Sequence, residues 1–411
     1  MEGGNRSLNI NVRLLIRPKP EVDESFLGYI LRLTEKNLYE TPSWILKMAG
    51  LGDKEFRQNN SLVFRPHENL DGLTQLVGVN VDGIAQLLYP PVAASDSTYL
   101  HYFFGQPVPQ DLIRLNRPKI CPACLSESPY CRRVWEFSAV TACPTHRRLL
   151  IDECPKCKRR ISWSRKNVTV CPCNFDWREF PTPSVAEQQL RLICHIYQLC
   201  GIPVAGVGPL KVPEPISRLS LNDLLRVLFF VAGQQRGISA ATSRHLVAAG
   251  KSQNFHSILT EAYSVFEDWP TNYFRFLDKR RVQERNVTRT YQRMKSALYG
   301  AFGSFYSGLY GVLSGSQFDF MRIAFIDYIT QKQAEDCNLS RHPRKRDTGA
   351  LNRPYVLKSD ARRLLGIEYP WIDHHVRKGE IKTLVQSKGK KRLIFVDLID
   401  ITKVKLTQNS C

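Results

Sequence analysis

Apolar positions along the chain recur mostly at helical spacing, and prolines and glycines mark the breaks. Residues 9–16 alternate weakly and predict a short strand, stopped by Arg17-Pro18-Lys19-Pro20. Asp23 then stands where an N-cap is expected, with Glu24 in the first turn and Phe26, Leu27, Ile30 and Leu33 on one face. Thr41-Pro42 opens a second helix through Trp44, Ile45 and Met48, closed by Gly50. A similar pair follows at 70–77 and 82–88, with a turn at Gly78-Val79-Asn80 and a stop at Pro90-Pro91. These short pairs predict a helix-turn-helix-like domain over 1–115, whose outer face serves either DNA or another protein. Residues 92–120, with Pro107, Pro109 and Pro118, read as a connector.

From Pro183 the pattern is helical again. Leu190, Leu192, Ile193, Ile196 and Tyr197 mark one helix, and Ser220 caps the next, with Leu224, Leu225, Leu228 and Phe229. Further helices are expected at 243–249, 254–266, from Trp269-Pro270 onward, at 298–313 and at 318–329. A basic linker covers 340–353. The tail predicts helix, turn, helix and hairpin: Ser359 to Leu365, closed by Gly366, then Pro370-Trp371 to Lys378, closed by Gly379. Strands follow at 381–385 and 392–396, and Asp397 opens a last short helix. That order is a winged helix. The expected architecture is mainly α with small β: a helix-turn-helix-like domain (1–115), tandem zinc ribbons (116–180), a helical domain (181–340) and a winged helix (350–411).

The densest chemistry lies between these regions. Cys121-Pro-Ala-Cys124, Cys143-Pro-Thr-His146, Cys154-Pro-Lys-Cys157 and Cys171-Pro-Cys173 place seven cysteines and one histidine in four pairs. Zn²⁺ takes four such ligands in a tetrahedron, so eight predict two ions. Sequential ligation, with Cys121, Cys124, Cys143 and His146 in one site and Cys154, Cys157, Cys171 and Cys173 in the other, is favoured over cross-bracing. The intervals between knuckles suit two ribbons in tandem. Four protein ligands leave no open coordination position, so both ions are expected to be structural. Disulfides need an oxidising compartment, and the N-terminus shows no apolar signal core. Cys131 is the one plausible substitute ligand. A strand is expected over 131–140, and Lys158, Arg159, Arg160, Arg165 and Lys166 surround Trp163, a pattern that suits phosphate contact and stacking or else a packed hairpin.

Charge changes the picture further. There are 58 Lys+Arg against 38 Asp+Glu, a net charge of +20, which points to nucleic acid as a partner. No run of apolar residues is long enough to span a membrane. Arg281, Arg285, Arg289 and Arg293 recur every four residues and form a stripe for a phosphate backbone, an acidic partner or solvent. In the tail, His374, His375, Arg377 and Lys378 lie on the second helix. Lys388, Lys390, Lys391 and Arg392 lie in the wing, where winged helices meet the major groove and the backbone respectively. Gly250-Lys251-Ser252 imitates the end of a P-loop, but His245 stands where its first glycine is required.

The ordered set of motifs resembles the TniQ family of transposition proteins, which includes the TnsD target selectors. It consists of Arg17-Pro18, the run Asp23-Glu24-Ser25-Phe26-Leu27-Gly28-Tyr29-Ile30-Leu31-Arg32-Leu33, the four cysteine and histidine pairs with Trp135 and Leu149-Leu150, and the Trp269-Pro270 helix. Where that family's second finger often has glycine after its last cysteine, this chain has Asn174. The resemblance implies a non-enzymatic adaptor in the bacterial cytoplasm, associated with the nucleoid. Such a protein recognises double-stranded DNA directly or docks on a CRISPR RNA-guided surveillance complex. It recruits an AAA+ regulator and, indirectly, the transposase; a homodimer is among the assemblies it allows. A transcription regulator built from zinc ribbons and a winged helix is the alternative. A nuclease would need grouped carboxylates, and Asp268, Asp278, Asp319 and Asp327 have no strand context that groups them.

Overall fold

Phe26–Lys36 forms the first helix, α1, and buries Phe26, Leu27, Tyr29, Ile30, Leu31 and Leu33. Its N-cap is Ser25, whose Oγ accepts from Gly28 N at 2.9 Å, rather than Asp23. Asp23 is engaged elsewhere: Tyr130 Oη and Arg132 Nη1 each donate to it at 2.7 Å. The computed structural model describes residues 13–51, 61–64, 70–92, 100–206, 208, 210–238, 252–287, 302–335, 355–388, 391–397, 400–401 and 403–405. The chain gathers into two units. One holds Met1–Val212 with Ser220–Leu224 and Leu246–Thr260, and the other holds Pro213–Leu219, Leu225–His245 and Glu261–Cys411.

In the first unit, α1 is followed by the short helices α2 (Ser43–Met48), α3 (Asp71–Val77) and α4 (Val81–Ala85). Residues 13–16 lie extended without a strand ladder, Leu14 N donating to Leu76 O at 3.0 Å. The region read as a connector contains a hairpin, β1 (Leu100–Phe103) with β2 (Gln106–Pro109). Its two-residue turn, Phe104-Gly105, has positive φ at both positions (47° and 74°), the twist that hairpins favour. Pro107 and Pro109 oppose Tyr102 and Leu100. Tyr102 instead donates to Pro90 O, and Leu100 O accepts from Val92 N, so the prolines cost no ladder bonds. Next come α5 (Pro122–Glu127), a two-residue ladder of β3 (Ala142–Cys143) and β4 (Arg148–Leu149), and α6 (Glu187–Leu199). The strand expected over 131–140 is a 3₁₀ turn at Arg133–Glu136. Val134, Trp135 and Glu136 are all buried, where a half-exposed strand would alternate.

The N-terminal helix is fastened to this loop. Ser25 N donates to Cys131 O at 2.9 Å, and Arg133 N donates to Asp23 O at 2.7 Å. A Cβ on Gly28 would lie 2.7 Å from Cys131 Cβ, so only glycine permits this approach. Under the helix Arg32 grips the buried Glu24 with two bonds, Nε to Oε1 at 2.8 Å and Nη2 to Oε2 at 2.5 Å, and also donates to Lys19 O. Lys119 is buried and donates to the carbonyls of Phe137, Ser138 and Val140. Burial lowers its pKa to about 7. Glu136 is buried beside Tyr89, whose hydroxyl donates to Oε2. Burial raises its pKa to about 7, against the hydrogen bonds from Tyr89 and Ser25.

The second unit takes in most of α7 (Leu221–Gln235), the end of α8 (Ser252–Ser264), then α9 (Thr271–Val287), α10 (Ser304–Gly311) and α11 (Asp319–Glu335). Ser220 caps α7 as expected, its Oγ accepting from Asp223 N at 3.1 Å. The core is aromatic: Trp269 stacks on Tyr273 at 4.9 Å, Phe302 meets Phe325 at 5.0 Å, and Phe305 contacts Phe276 and Phe325. Two of its tyrosines satisfy their hydroxyls there, Tyr273 on Met321 O and Tyr328 on Asp278. The tail runs β5 (Tyr355–Leu357), α12 (Lys358–Leu365), α13 (Tyr369–Arg377), β6 (Thr383–Lys388) and β7 (Lys391–Asp397). Its antiparallel sheet has the order β5-β7-β6. Gly366 closes α12 in the left-handed region (φ 62°), and Asp397 Oδ1 accepts from Asp400 N at 3.2 Å at the start of the last helical residues. The helix expected at 243–249, part of the P-loop-like segment, Arg289, Arg293, Lys390 and the basic linker lie outside the described residues. No helix among the described residues is long and apolar enough to cross a membrane.

Two outcomes follow from this packing. Because the pKa of Glu136 lies above its ordinary value when folded, its contribution is full below about 4.5 and is lost as pH rises through about 7. Glu136→Gln is expected to flatten the fall in unfolding free energy between pH 5 and 8, a term on the order of 3 kcal/mol, measured by urea unfolding across that range. Gly28→Ala is expected to lower stability by about 1–3 kcal/mol, because the methyl group must push α1 off the 131–133 loop. Denaturant midpoints that match the wild type would refute the tight approach.

Candidate metal centres and nucleic-acid interface

Cys121 precedes α5 with Pro122 at the first helical position, and the first helical turn brings Cys124 beside it. Cys143 ends β3, and His146 stands on the turn that leads into β4. The four donors converge. His146 Nδ1 lies 3.6, 3.2 and 3.4 Å from the sulfurs of Cys121, Cys124 and Cys143, and Cys124 and Cys143 are 3.6 Å apart. The second group is built from Cys154, Cys157, Cys171 and Cys173, with Cys154 to Cys173 and Cys157 to Cys171 both at 3.8 Å. Zn–S bonds of about 2.3 Å in a tetrahedron give S···S edges of about 3.8 Å, and Zn–N bonds of about 2.0–2.1 Å shorten the mixed edges to about 3.5 Å. Disulfide sulfurs would be about 2.05 Å apart. Both groups therefore have the dimensions of a four-ligand metal site, with sequential rather than cross-braced pairing.

The backbone is shaped for the same purpose. Three of the four knuckles are followed at once by a left-handed non-glycine residue: Arg147 after His146 (φ 50°), Lys158 after Cys157 (φ 58°) and Asn174 after Cys173 (φ 63°). That conformation costs roughly 1–2 kcal/mol per residue and persists where surrounding bonds over-determine it. Lys158 N donates to Cys154 O at 2.9 Å, Cys154 N to Arg159 O at 2.8 Å, and Asn174 N to Cys171 O at 2.8 Å. Asn174 occupies this place comfortably, because asparagine tolerates the left-handed region.

The electrostatics of the first group are compatible with a cation among its donors. Bonds from Cys121 and Cys124 push the Cys143 thiol far down, while the contact with Cys121 pushes Cys124 far up. Three sulfurs this close cannot all ionise unless a positive charge lies among them. His146 has a further partner that sequence reading missed. Its Nε2 lies 2.9 Å from Glu127 Oε1, which fixes the tautomer that turns Nδ1 toward the sulfurs. Glu127 stands on α5, six residues after Cys121, and only the fold brings it to the imidazole. Cys131 belongs to neither group; its buried sulfur accepts from Arg165 Nη2 at 3.8 Å.

The sequence-predicted nucleic-acid contacts divide. Trp163 and Arg165 are buried, with the indole Nε1 donating to Leu115 O at 2.7 Å and the guanidinium sandwiched between Trp163 and Trp177. They pack the second finger instead of facing outward; an indole and a guanidinium stem bury readily when each polar group finds a carbonyl. Lys158, Arg159 and Arg160 remain exposed, and Lys166 pairs with Glu40 at 2.9 Å. On α13, His374, Arg377 and Lys378 are exposed, but His375 is buried, 4.2 Å from Trp371 and bonded to Glu380. The expectation of an outward-facing His375 therefore fails, because residue 375 lies on the inner face with Ile372. Arg281 is likewise buried, so it does not start an exposed stripe; Arg285 follows on α9, its side chain outside the described set. Lys388 pairs with Lys391 and Ser387 with Arg392 at the hairpin end, with those cationic side chains also outside the described set.

Removing one ligand should open one group and spare the other. Cys154→Ser is expected to lose about one of two bound metal ions per chain, and Glu127→Ala to weaken the first site about 10–100-fold toward a chelator. Elemental analysis and chelator competition read both effects; a protein purified without metal would sink the two-site reading.

A comparison with curated proteins gave no match. Residues 15–150 match the family model for TniQ, a stretch that runs from the N-terminal arm through α1 and the first four-donor group and ends before the second. Through residues 15–150 the chain carries a TniQ domain, which indicates a transposition-associated protein.

Proposed function

We propose that this chain is a non-enzymatic, zinc- and DNA-binding adaptor that selects the target site of a transposition system. In this reading it recruits an AAA+ regulator and, through it, the transposase. The observation that carries the reading is the pair of four-donor groups, the first built into the TniQ domain itself. Cys₃His and Cys₄ donor sets of tetrahedral size suit Zn²⁺. With all four positions taken by protein, each ion would hold its knuckles together and activate no water.

DNA contact is assigned to the tail. Its order of strand, two helices and hairpin fits a winged helix, with α13 entering the major groove by His374, Arg377 and Lys378. The hairpin end, with Lys388, Lys390, Lys391 and Arg392, would then lie along the backbone. Arg285, Arg289 and Arg293 are assigned as further phosphate contacts. A tail of this kind favours direct reading of DNA over docking on a CRISPR surveillance complex. The net charge of +20 supports the same choice. A transcription regulator would share these parts but would not bind an AAA+ ATPase in the presence of target DNA.

Arg377→Ala is expected to weaken specific binding by about 1–3 kcal/mol and to relax sequence preference. Lys390→Ala should weaken all duplexes alike and reduce the slope of log K against log salt by about 0.9. Fluorescence anisotropy with specific and scrambled duplexes distinguishes the two; unchanged binding in both variants would remove the tail from the DNA interface.

A further inference from the structure

The second unit contains a cavity of about 410 Å³ where the end of α7, the end of α8 and the first half of α9 meet. Its walls carry three cations, Arg275, Lys279 and Arg280, against one carboxylate, Glu261. Glu261 already faces another cation, with Arg236 Nη2 at 3.8 Å from its Oε2. Arg280 is only 5% exposed yet lines the cavity, and its Nη1 donates to Gln234 O at 3.2 Å, which fixes the plane of the guanidinium. Arg275 is also held: its Nη1 donates to Asn272 Oδ1 at 2.9 Å, and Asn272 Nδ2 donates in turn to Ser264 O at 2.9 Å. Arg275 and Lys279 stand one turn apart on α9, about 6 Å along its axis. Arg275 and Lys279 are exposed, and like charges at that spacing repel weakly. An anion in the cavity offsets that repulsion. The first turn of α9 also borders the cavity, so the positive end of a 17-residue helix contributes in the same sense.

We propose that this cavity is a phosphate-binding pocket, with Arg280 as its fixed floor and Arg275 and Lys279 as the outer clamp. Planar, tethered guanidinium groups suit the paired oxygens of a phosphate, and Lys279 supplies a point charge at the mouth. The volume falls in the range of small-ligand pockets and exceeds that of a bare ion, so the group bound is a phosphate carried on a larger body. That body is either a free phosphorylated small molecule or a terminal or backbone phosphate of DNA. The proposal stands apart from the tail and the metal centres, so it can fail without them.

Pyrophosphate is the probe, titrated calorimetrically into the full-length, metal-loaded protein. One site is expected. Arg275→Gln combined with Lys279→Gln is expected to weaken binding by about tenfold or more, the effect of losing about 1.4 kcal/mol of charge-assisted contacts. Glu261→Gln keeps the side-chain shape and removes the opposing charge, so it is expected to tighten binding several-fold. A merely structural role for Glu261 would not do that. Circular dichroism confirms that each variant is folded, and Glu261→Gln keeps the test decisive if the double variant is not. Absence of pyrophosphate binding, equal affinity in the double variant, or weaker binding in Glu261→Gln would each overturn the pocket. A duplex competition separates the sources. If DNA supplies the phosphate, pyrophosphate displaces duplex and the double variant loses part of its salt slope; if a free ligand does, duplex binding is unchanged while the pyrophosphate results stand.

Discussion

Four donor atoms held within 4.8 Å of one another set the geometry of residues 121–173, twice over. Ionised sulfurs at tetrahedral edge lengths repel unless a cation lies among them. The knuckles that present them spend backbone strain at Arg147, Lys158 and Asn174 to do so. Around them there is little regular structure: a ladder two residues long and isolated bridges such as Ile120 with Ile151. Buried side chains such as Trp135, Phe137 and Val140 add packing, and a structural zinc ion, worth roughly 10–16 kcal/mol in peptides, would add to it.

The N-terminal helix depends on that stretch and completes it. Ser25, Gly28 and Asp23 all bind or approach residues 130–133, and the Glu24–Arg32 pair lies sealed beneath them. A buried ion pair of this kind is a poor source of net stability but a strong selector of arrangement, because misplacing either partner leaves a charge alone in the core. The opening motif is therefore a docking surface for the first metal centre as much as a helix. The stretch matched by the TniQ family model, 15–150, contains both sides of these contacts. The second finger is joined to the same helix by Val168 N on Glu35, and to the loop after it by Lys166 on Glu40.

The second unit rests on a different physics. Interlocked aromatic rings from α9, α10 and α11 make the core; the hydroxyls of Tyr273 and Tyr328 reach a carbonyl and a carboxylate, while that of Tyr310 is buried without a partner. Tyr306 carries this core to the tail by reaching Asp360 on α12. Charge is mixed: Arg280, Arg281 and Asp360 are buried, while His374 and Arg377 on α13 are exposed.

Much of this was legible in the chain. Spacing placed the eight candidate donors in four knuckles, since a tight turn needs only neighbouring residues, and favoured their sequential pairing, which the fold brings together. The same holds for the Ser220 cap, the closing Gly366 and the tail hairpin, whose signals are local. What stayed hidden depends on contacts across long separations or on which way a side chain turns. Glu127 reaches His146 across 19 residues, Tyr130 reaches Asp23 across 107, and Trp163 reaches Leu115 across 48. Basic residues beside an aromatic look alike in sequence whether they face solvent or the core. Only the packed structure turned Arg165, Arg281 and His375 inward and left Arg377 and Lys378 outside. Local sequence determines which turns and helices can form; burial, a property of all the neighbours at once, decides which of their charges a partner can touch.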